Sequence, residues 1–131
     1  MSDDLSPVDD PLVGAFFRGA AKSRLVVQRC NSCGALRWPP LSGCPDCRSR
    51  DADWVDVAPR GTVWSFVVYY RSFAASLRDQ VPYTVAMVQL DAGPFMLGRL
   101  ASGEARPSVG DRVAADFSEV DGKPTVRWRL T

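Results

Sequence analysis

The sequence contains no histidine, which removes the most common general base from the chain. A Ser-His-Asp triad, a Cys-His dyad and a histidine general base are therefore all excluded within these 131 residues. Lysine is also scarce, because Lys22 and Lys123 are the only lysines among 16 basic residues. Such an excess of arginine is typical of a GC-rich coding sequence, or of contacts with phosphate, which the guanidinium group binds through two parallel hydrogen bonds.

Long apolar stretches are missing as well, and no run approaches the roughly 20 residues that a membrane-spanning helix needs. Residues 1–5 are polar and acidic with no apolar segment, so no secretory signal is predicted and a cytoplasmic location is expected. The 16 basic and 15 acidic residues nearly balance, which argues against a global electrostatic attraction to nucleic acid. Hydrophobic residues make up 46% of the chain, enough for one compact domain or two very small ones.

The cysteines carry the strongest motif. All four fall into two C-x2-C pairs that are ten residues apart: Cys30, Cys33, Cys44 and Cys47. Each pair can wrap its backbone round one side of a metal ion and offer two sulfurs, and two pairs make the tetrahedral thiolate site that zinc favours. Because protein ligands fill all four positions, no position is open to water or substrate. The motif predicts one structural zinc per chain.

Two other uses of four cysteines stay open at the level of sequence. They could form two disulfides in any of three pairings, although a cytoplasmic chain keeps its thiols reduced. An iron–sulfur cluster or a mononuclear iron centre also takes four thiolates. Spacing and compartment favour zinc over both.

The order of predicted elements indicates a mainly β fold in three parts. Residues 1–10 are expected to be a mobile tail, and 11–22 a short amphipathic helix, so that 1–23 form the tail and N-terminal helix. Residues 24–58 place short strands round the cysteine pairs, as in a zinc ribbon. Residues 59–131 contain five predicted strands, over 62–70, 83–90, 95–100, 112–118 and 124–130. Five strands in about 70 residues, with no long helix between them, predict an OB-fold barrel.

Details of the predicted barrel follow from local patterns. Asp121-Gly122 predicts a tight hairpin, and Gly98 inside a strand predicts a bulge or sharp bend. The segment 71–81 is longer than a hairpin needs, and loops of that length in small domains are often functional. Alternation in the first barrel strand places one set of side chains on a single, core-facing side: Thr62, Trp64, Phe66, Val68 and Tyr70.

A family resemblance rests on these motifs taken in order. A short N-terminal helix, LVVQRCxxCGxLRxPP, a CPxC pair, GTVWSFVVYYR, PYTVAMVQLD and a final DG hairpin follow one another. This order resembles the acyl-CoA-associated family in which a rubredoxin-like zinc ribbon precedes an OB-fold, formerly a domain of unknown function. The likeness covers residues 11 to 131, nearly the whole chain.

The resemblance implies an accessory subunit that is not an enzyme on its own. Members of the family associate with thiolase-fold enzymes: thiolases, acyltransferases and the retro-aldolases of sterol side-chain degradation. Some are paired with hot-dog-fold hydratases. The small protein is expected to hold such partners together and to help form the acyl-CoA path. The four cysteines occupy the family's zinc positions, and no catalytic residue carries over.

Candidate contacts with the partner or with CoA are aromatic residues and arginines near the ribbon, and one arginine in the long loop: Phe17, Arg18, Arg24, Arg37, Trp38 and Arg71. Arginine can bind CoA phosphates or an acidic protein surface, whereas a solvated charged face is the simpler interpretation. The alternative function is binding of single-stranded nucleic acid, which OB-folds perform with aromatic platforms in a basic groove. The near-zero net charge argues against that alternative.

Overall fold

The fold is described by a computed structural model over residues 7–71, 75, 80–101 and 106–131. A short 3-10 helix, Pro7–Asp9, precedes the α-helix α1, Gly14–Ala21. The strands then follow in chain order: β1 Val26–Cys30, β2 Leu36–Arg37, β3 Ala52–Asp56, β4 Arg60–Tyr69, β5 Tyr83–Leu90, β6 Phe95–Arg99, β7 Arg112–Val120 and β8 Lys123–Leu130. Within these ranges, no helix combines the length and the apolar character needed to cross a bilayer.

The segment before α1 packs against the helix, in contrast to the mobile tail that its composition predicts. The Arg18 guanidinium donates a hydrogen bond to the Val8 carbonyl, with 2.6 Å between Nη1 and O. Residues 7–10 thus have defined contacts with α1, and the remainder of the predicted tail, residues 1–6, lies outside the described residues.

The helix begins at residue 14, later than the predicted start at residue 11, because a side chain forms a turn ahead of it. The Asp10 carboxylate accepts hydrogen bonds from the backbone N–H groups of Leu12 and Val13, at 2.7 and 3.0 Å. These two bonds hold the pKa of Asp10 below its ordinary value, and the bond from Val13 has the larger effect. Residues 11–13 are thus committed to the turn, and the helix proper is short.

The ribbon is a three-stranded antiparallel sheet in the order β2-β1-β3. Its central strand β1 is the most apolar of the three, and Val27 is fully buried. Leu25 and Val27 belong to the same hydrophobic core as Val63 and Trp128 of the barrel. The predicted ribbon and barrel therefore share one continuous core.

The second sheet has five strands in the order β6-β5-β4-β7-β8, with every neighbouring pair antiparallel. Its two ends meet through a parallel bridge between Leu100 and Trp128. The Ala101 N–H also donates a hydrogen bond to the Trp128 carbonyl at 2.8 Å. This contact closes the sheet into a barrel, which confirms the predicted mainly β architecture of a ribbon followed by an OB-fold.

The predicted final hairpin is present. Asp121 and Gly122 both have positive φ, at 53° and 76°, between the paired residues Val120 and Lys123. Two positive φ values in a two-residue loop are the signature of a type I′ turn, whose twist matches that of the flanking strands.

The core-facing pattern expected for β4 is wrong in part, because the strand contains a bulge. Its register against β5 shifts between Val63 and Ser65, which leaves Trp64 between the paired residues. Val63 is buried, whereas Trp64 is 60% exposed and Tyr70 is 66% exposed. A bulge adds one residue to one strand and so changes which side chains face the core, and simple alternation cannot show this.

Gly98 was predicted to mark a bulge or a sharp bend, and the bulge is absent because Gly98 pairs in regular register with Ala86. A Cβ at this position would lie 2.6 Å from Cδ1 of Trp128 and closer still to its Nε1. The glycine therefore makes room for the indole that closes the barrel.

Candidate metal centre

The two cysteine pairs lie in turns of the same construction. In the first, the Cys30 N–H donates to the Ala35 carbonyl and the Gly34 N–H donates to the Cys30 carbonyl, both at 2.9 Å. In the second, Cys44 makes the equivalent two bonds with Ser49 and Arg48, both at 2.8 Å. Each turn thus directs the amides after its first cysteine back towards that cysteine.

The same position in each turn has a left-handed backbone. Gly34 has φ of 79°, and Arg48 has φ of 68°. A glycine reaches this conformation without cost, so Gly34 is a sequence signal for the first turn. The second turn has Arg48 at this position, and the sequence alone does not indicate a left-handed backbone at an arginine.

The four sulfurs converge on one point. All four Sγ atoms lie within 4.8 Å of one another, with 3.5 Å between Cys30 and Cys47 and 3.7 Å between Cys33 and Cys44. A tetrahedral zinc with Zn–S bonds of about 2.3 Å separates its sulfurs by about 3.8 Å. A disulfide needs about 2.0 Å, and the four cysteines are free. The donor set fits one metal ion with four thiolate ligands and no open position.

Backbone amides prepare two of these sulfurs for metal binding. The amides of Cys33 and, to a lesser extent, Ser32 lower the pKa of Cys30 to about 6. The amides of Cys47 and Asp46 lower the pKa of Cys44 in the same way. Hydrogen bonds to sulfur favour the thiolate, which is the form that binds a metal.

The second cysteine of each pair behaves in the opposite way. The Ser49 amide acts to lower the pKa of Cys47, but the neighbouring thiols, that of Cys30 foremost, together with partial desolvation outweigh it and raise the pKa to about 12. Four sulfurs in one place cannot all ionise without a cation among them. A divalent metal would supply that charge, and the arrangement is therefore one that a metal completes.

Polar contacts tie the two turns side by side. The Asn31 amide donates to the Asp51 carboxylate at 3.0 Å, and the Ser32 and Ser49 hydroxyls lie 2.9 Å apart. Cys30 and Cys44 are buried, whereas Cys33 and Cys47 are exposed. One side of the metal position thus faces the ribbon sheet and the other faces solvent.

Arg37, predicted to face a partner or CoA, points into the ribbon and is only 8% exposed. Its Nε donates to Oε1 of Gln28 at 2.7 Å, and its Nη2 donates to the Leu41 carbonyl at 3.1 Å. The same Gln28 oxygen accepts the Leu41 N–H at 2.9 Å. The three groups brace the segment that leads into the second cysteine turn, so Arg37 is used within the chain.

Phe17 and Trp38, also predicted as outward contacts, are half-buried and pack against the core. The Trp38 ring lies 4.4 Å from that of Phe16 and 6.5 Å from that of Trp54, centroid to centroid. Phe17 meets Phe16 edge to face at 5.1 Å. This row of four rings fastens α1 to the ribbon, which leaves only part of Phe17 and Trp38 for a partner.

The remaining three candidates are exposed. Arg18 and Arg24 lie on the ribbon side of the molecule, and Arg24 pairs with Asp56 at 2.6 Å. Arg71 begins the long segment 71–81, most of which lies outside the described residues, so that the functional role predicted for that loop stays a prediction.

Sequence reasoning missed an apolar surface on the barrel. It covers the outer side of β4, β5 and β6 and is called the outer face here: Trp64, Val67, Tyr69, Phe95 and Leu97, all exposed. The Trp64 and Phe95 rings meet at 5.2 Å, and Tyr69 stacks on Tyr83 at 5.0 Å. The apolar character of β6 on both of its sides was the available signal, since a half-exposed strand normally alternates with polar residues.

Comparison with known proteins covers both parts of the chain. Residues 17–53 match the family described as "ChsH2, rubredoxin-like zinc ribbon domain", and residues 54–118 match "ChsH2, C-terminal OB-fold domain". A solved structure titled "Ltp2-ChsH2(DUF35) aldolase" superposes with a TM-score of 0.82 at 32% identity, covering 92% of this chain and 95% of that one.

Two curated relatives add to this. A "Probable enoyl-CoA hydratase alpha subunit" from Thermomonospora curvata is 35% identical over 85% of this chain, but the chain spans only 34% of that protein's length. The "Benzoylsuccinyl-CoA thiolase subunit BbsA" from Thauera aromatica is 26% identical over 78% of this chain and 72% of its own length. The zinc-ribbon match and the convergence of four thiolates agree on one structural zinc per chain, held by the four predicted cysteines.

Proposed function

This chain belongs to the ChsH2 family, in which a rubredoxin-like zinc ribbon precedes a C-terminal OB-fold domain, and we propose that it is a non-catalytic accessory subunit of a thiolase-fold enzyme that processes acyl-CoA. Its task in that complex is to bind the enzyme and to help form the path of the acyl-CoA. The absence of histidine and the use of every cysteine in the metal site favour an accessory role over a catalytic one.

The outer face is the observation that carries this proposal. Trp64 and Leu97 are 60% and 61% exposed on neighbouring parts of one sheet surface. Monomeric proteins rarely expose contiguous apolar surface of this kind, and aromatic residues are enriched at protein interfaces. Strands β4, β5 and β6 contain no acidic residue, and Arg99 lies 4.4 Å over the Tyr83 ring at their border. The surface therefore suits a partner that is apolar at the centre and acidic at the rim.

The names of the relatives point to the class of that partner. One similar chain is a thiolase subunit, and another occurs in an aldolase together with Ltp2. A hydratase alpha subunit among the relatives supports a hot-dog-fold hydratase as a second partner. Because the site needs reduced thiols, we place the complex in the cytoplasm.

Leu97→Glu tests the proposal. We expect at least about tenfold weaker binding to the thiolase-fold partner, because a carboxylate would enter the apolar centre of the contact. Binding is measured by calorimetry with thiolase-fold proteins of the same genome, co-expressed and purified. Val120→Glu is the matched control, since Val120 is 40% exposed but lies at the β7–β8 hairpin, outside strands β4, β5 and β6. If both variants bind the partner equally well, the outer face is not part of the interface.

A second candidate function, binding of single-stranded nucleic acid, gains one observation from the structure. Trp64, Tyr69 and Tyr70 are exposed, and exposed aromatic residues on an OB-fold are a stacking platform in nucleic-acid-binding proteins. The balanced net charge of +1 still opposes this function.

Fluorescence anisotropy with a labelled oligothymidine decides between the two functions. The expected result is no saturable binding at about 0.15 M salt, where phosphate contacts are weakened by screening. Saturable binding that falls steeply with salt, and that Trp64→Ser abolishes, would favour nucleic acid as the ligand.

A further inference from the structure

A groove between α1 and the ribbon has the character of an anion site with an aromatic wall. It forms an open cavity of about 200 Å³, and its main lining residues come from the helix, the segment after it, β1 and β3: Arg18, Lys22, Arg24, Val26, Trp54 and Asp56. No residue of this groove takes part in the metal centre or the outer face.

The groove carries uncompensated positive charge. Three cations face one carboxylate, and that carboxylate, Asp56, is already paired with Arg24 at 2.6 Å. Arg18 donates to the neutral Val8 carbonyl, and Lys22 forms no ion pair with any described residue. Two positive charges therefore remain for a ligand in a concave site, where they act together on an anion.

The wall of the groove suits a flat ring. Trp54 is half-buried and held by Trp38 at 6.5 Å, and the buried Val26 lies beside it. On the helix side the lining residues are small, and a Cβ on Gly19 would come within 3.2 Å of a Val26 methyl. An indole beside free cations is the combination that binds a phosphorylated nucleotide, with the base against the ring and the phosphates on the cations.

We propose that this groove binds the phosphorylated adenosine end of coenzyme A. This inference rests on the proposed function, which supplies acyl-CoA as the substrate class. It adds the part of this chain that contacts the coenzyme. Drug-sized ligands occupy pockets of about 300–1,000 Å³, so a cavity of this size takes one end of the coenzyme and not the whole. The pantetheine arm then lies outside the groove.

The test uses the full, zinc-loaded chain without a partner. It is titrated with CoA, 3′,5′-ADP, ATP, pantetheine and inorganic phosphate, and binding is measured by calorimetry and tryptophan fluorescence. CoA and 3′,5′-ADP are expected to saturate with similar affinity, because they share the phosphorylated adenosine. Pantetheine and inorganic phosphate are expected not to saturate. ATP is expected to bind more weakly, since its phosphates lie all at one end.

Lys22→Ala is expected to weaken the binding of 3′,5′-ADP about fivefold, the size of one exposed charge contact. Lys123→Ala is the matched control, because Lys123 is the other lysine of the chain and lies in the β7–β8 hairpin. Both side chains are exposed, so neither variant should alter the fold.

Three results would overturn the inference: no saturation by CoA up to about 1 mM, equal binding of inorganic phosphate or ATP, or an unchanged affinity in Lys22→Ala. The outcome is separate from that of the partner experiment, which depends on Leu97. If CoA does not bind but the thiolase-fold partner does, the groove assignment fails and the accessory role stands. If CoA binds and no partner does, the accessory role fails and the groove remains a CoA site.

Discussion

Cys44→Ser is expected to abolish zinc binding and to unfold the ribbon, while the barrel stays folded at lower stability. Three thiolates and a serine hydroxyl make a poor zinc site, and Cys44 is one of the two sulfurs whose backbone amides lower the pKa. Structural zinc contributes about 10–16 kcal/mol of apparent binding free energy in small zinc domains, far more than a three-stranded ribbon gains from burial.

The barrel should lose stability too, because the ribbon completes its core. Leu25 and Val27 lie in the same core as Val63 and Trp128, so that loosening β1 exposes apolar surface on the barrel side. Zinc content by mass spectrometry, combined with amide hydrogen exchange, separates the two effects. The ribbon amides should exchange rapidly, whereas those of β5 and β7 stay protected.

Ser42→Ala is the control for this variant. Ser42 is exposed and two residues before Cys44, and its hydroxyl forms none of the hydrogen bonds that tie the cysteine turns together. The control should keep one zinc per chain and normal protection. A Cys44→Ser protein that retained one zinc and normal exchange in the ribbon would show that the site holds its metal without this ligand.

Gly98→Ala is expected to destabilise the barrel by about 1–3 kcal/mol, although it adds a single methyl group. The new Cβ would lie 2.6 Å from Cδ1 of Trp128, well inside ordinary contact distance. Trp128 is fully buried, so the indole cannot move aside without shifting the strand that carries it. Urea unfolding followed by tryptophan fluorescence measures the change in the free energy of unfolding.

Gly43→Ala provides the comparison for Gly98→Ala. A Cβ on Gly43 would have no atom within 4 Å, and this glycine has no left-handed backbone. The free energy of unfolding of the Gly43→Ala variant should stay within about 0.5 kcal/mol of that of the unsubstituted protein. A loss of the same size in both variants would indicate a general effect of replacing glycine, and would argue against the contact with Trp128.

Local chemistry was readable without the structure wherever it depends on neighbours in the chain. The spacing of the cysteines predicts the zinc site because each C-x2-C pair forms its own turn. The Asp121-Gly122 hairpin and strand β5 over 83–90 were predicted for the same reason, since turn type and strand alternation are set by adjacent residues.

Predictions about which way a side chain faces were less reliable. Arg37 carries a charge and was expected outside, but Gln28 and Leu41 supply it with partners inside the ribbon. Trp64 was expected inside, but the bulge in β4 turns it outward. Both outcomes depend on residues that are distant in sequence or on a shift in pairing that no local pattern records.

The sequence by itself determined the four metal ligands, the strand order along the chain and the family, because ligand spacing, turn residues and motif order are properties of the chain alone. The tertiary structure decided how those parts are used. It closed the barrel with Trp128 over Gly98, joined ribbon and barrel in one core, and left an apolar outer face and a cationic groove at the surface. Such surfaces combine residues from several elements, and only the packing of the whole chain brings them together.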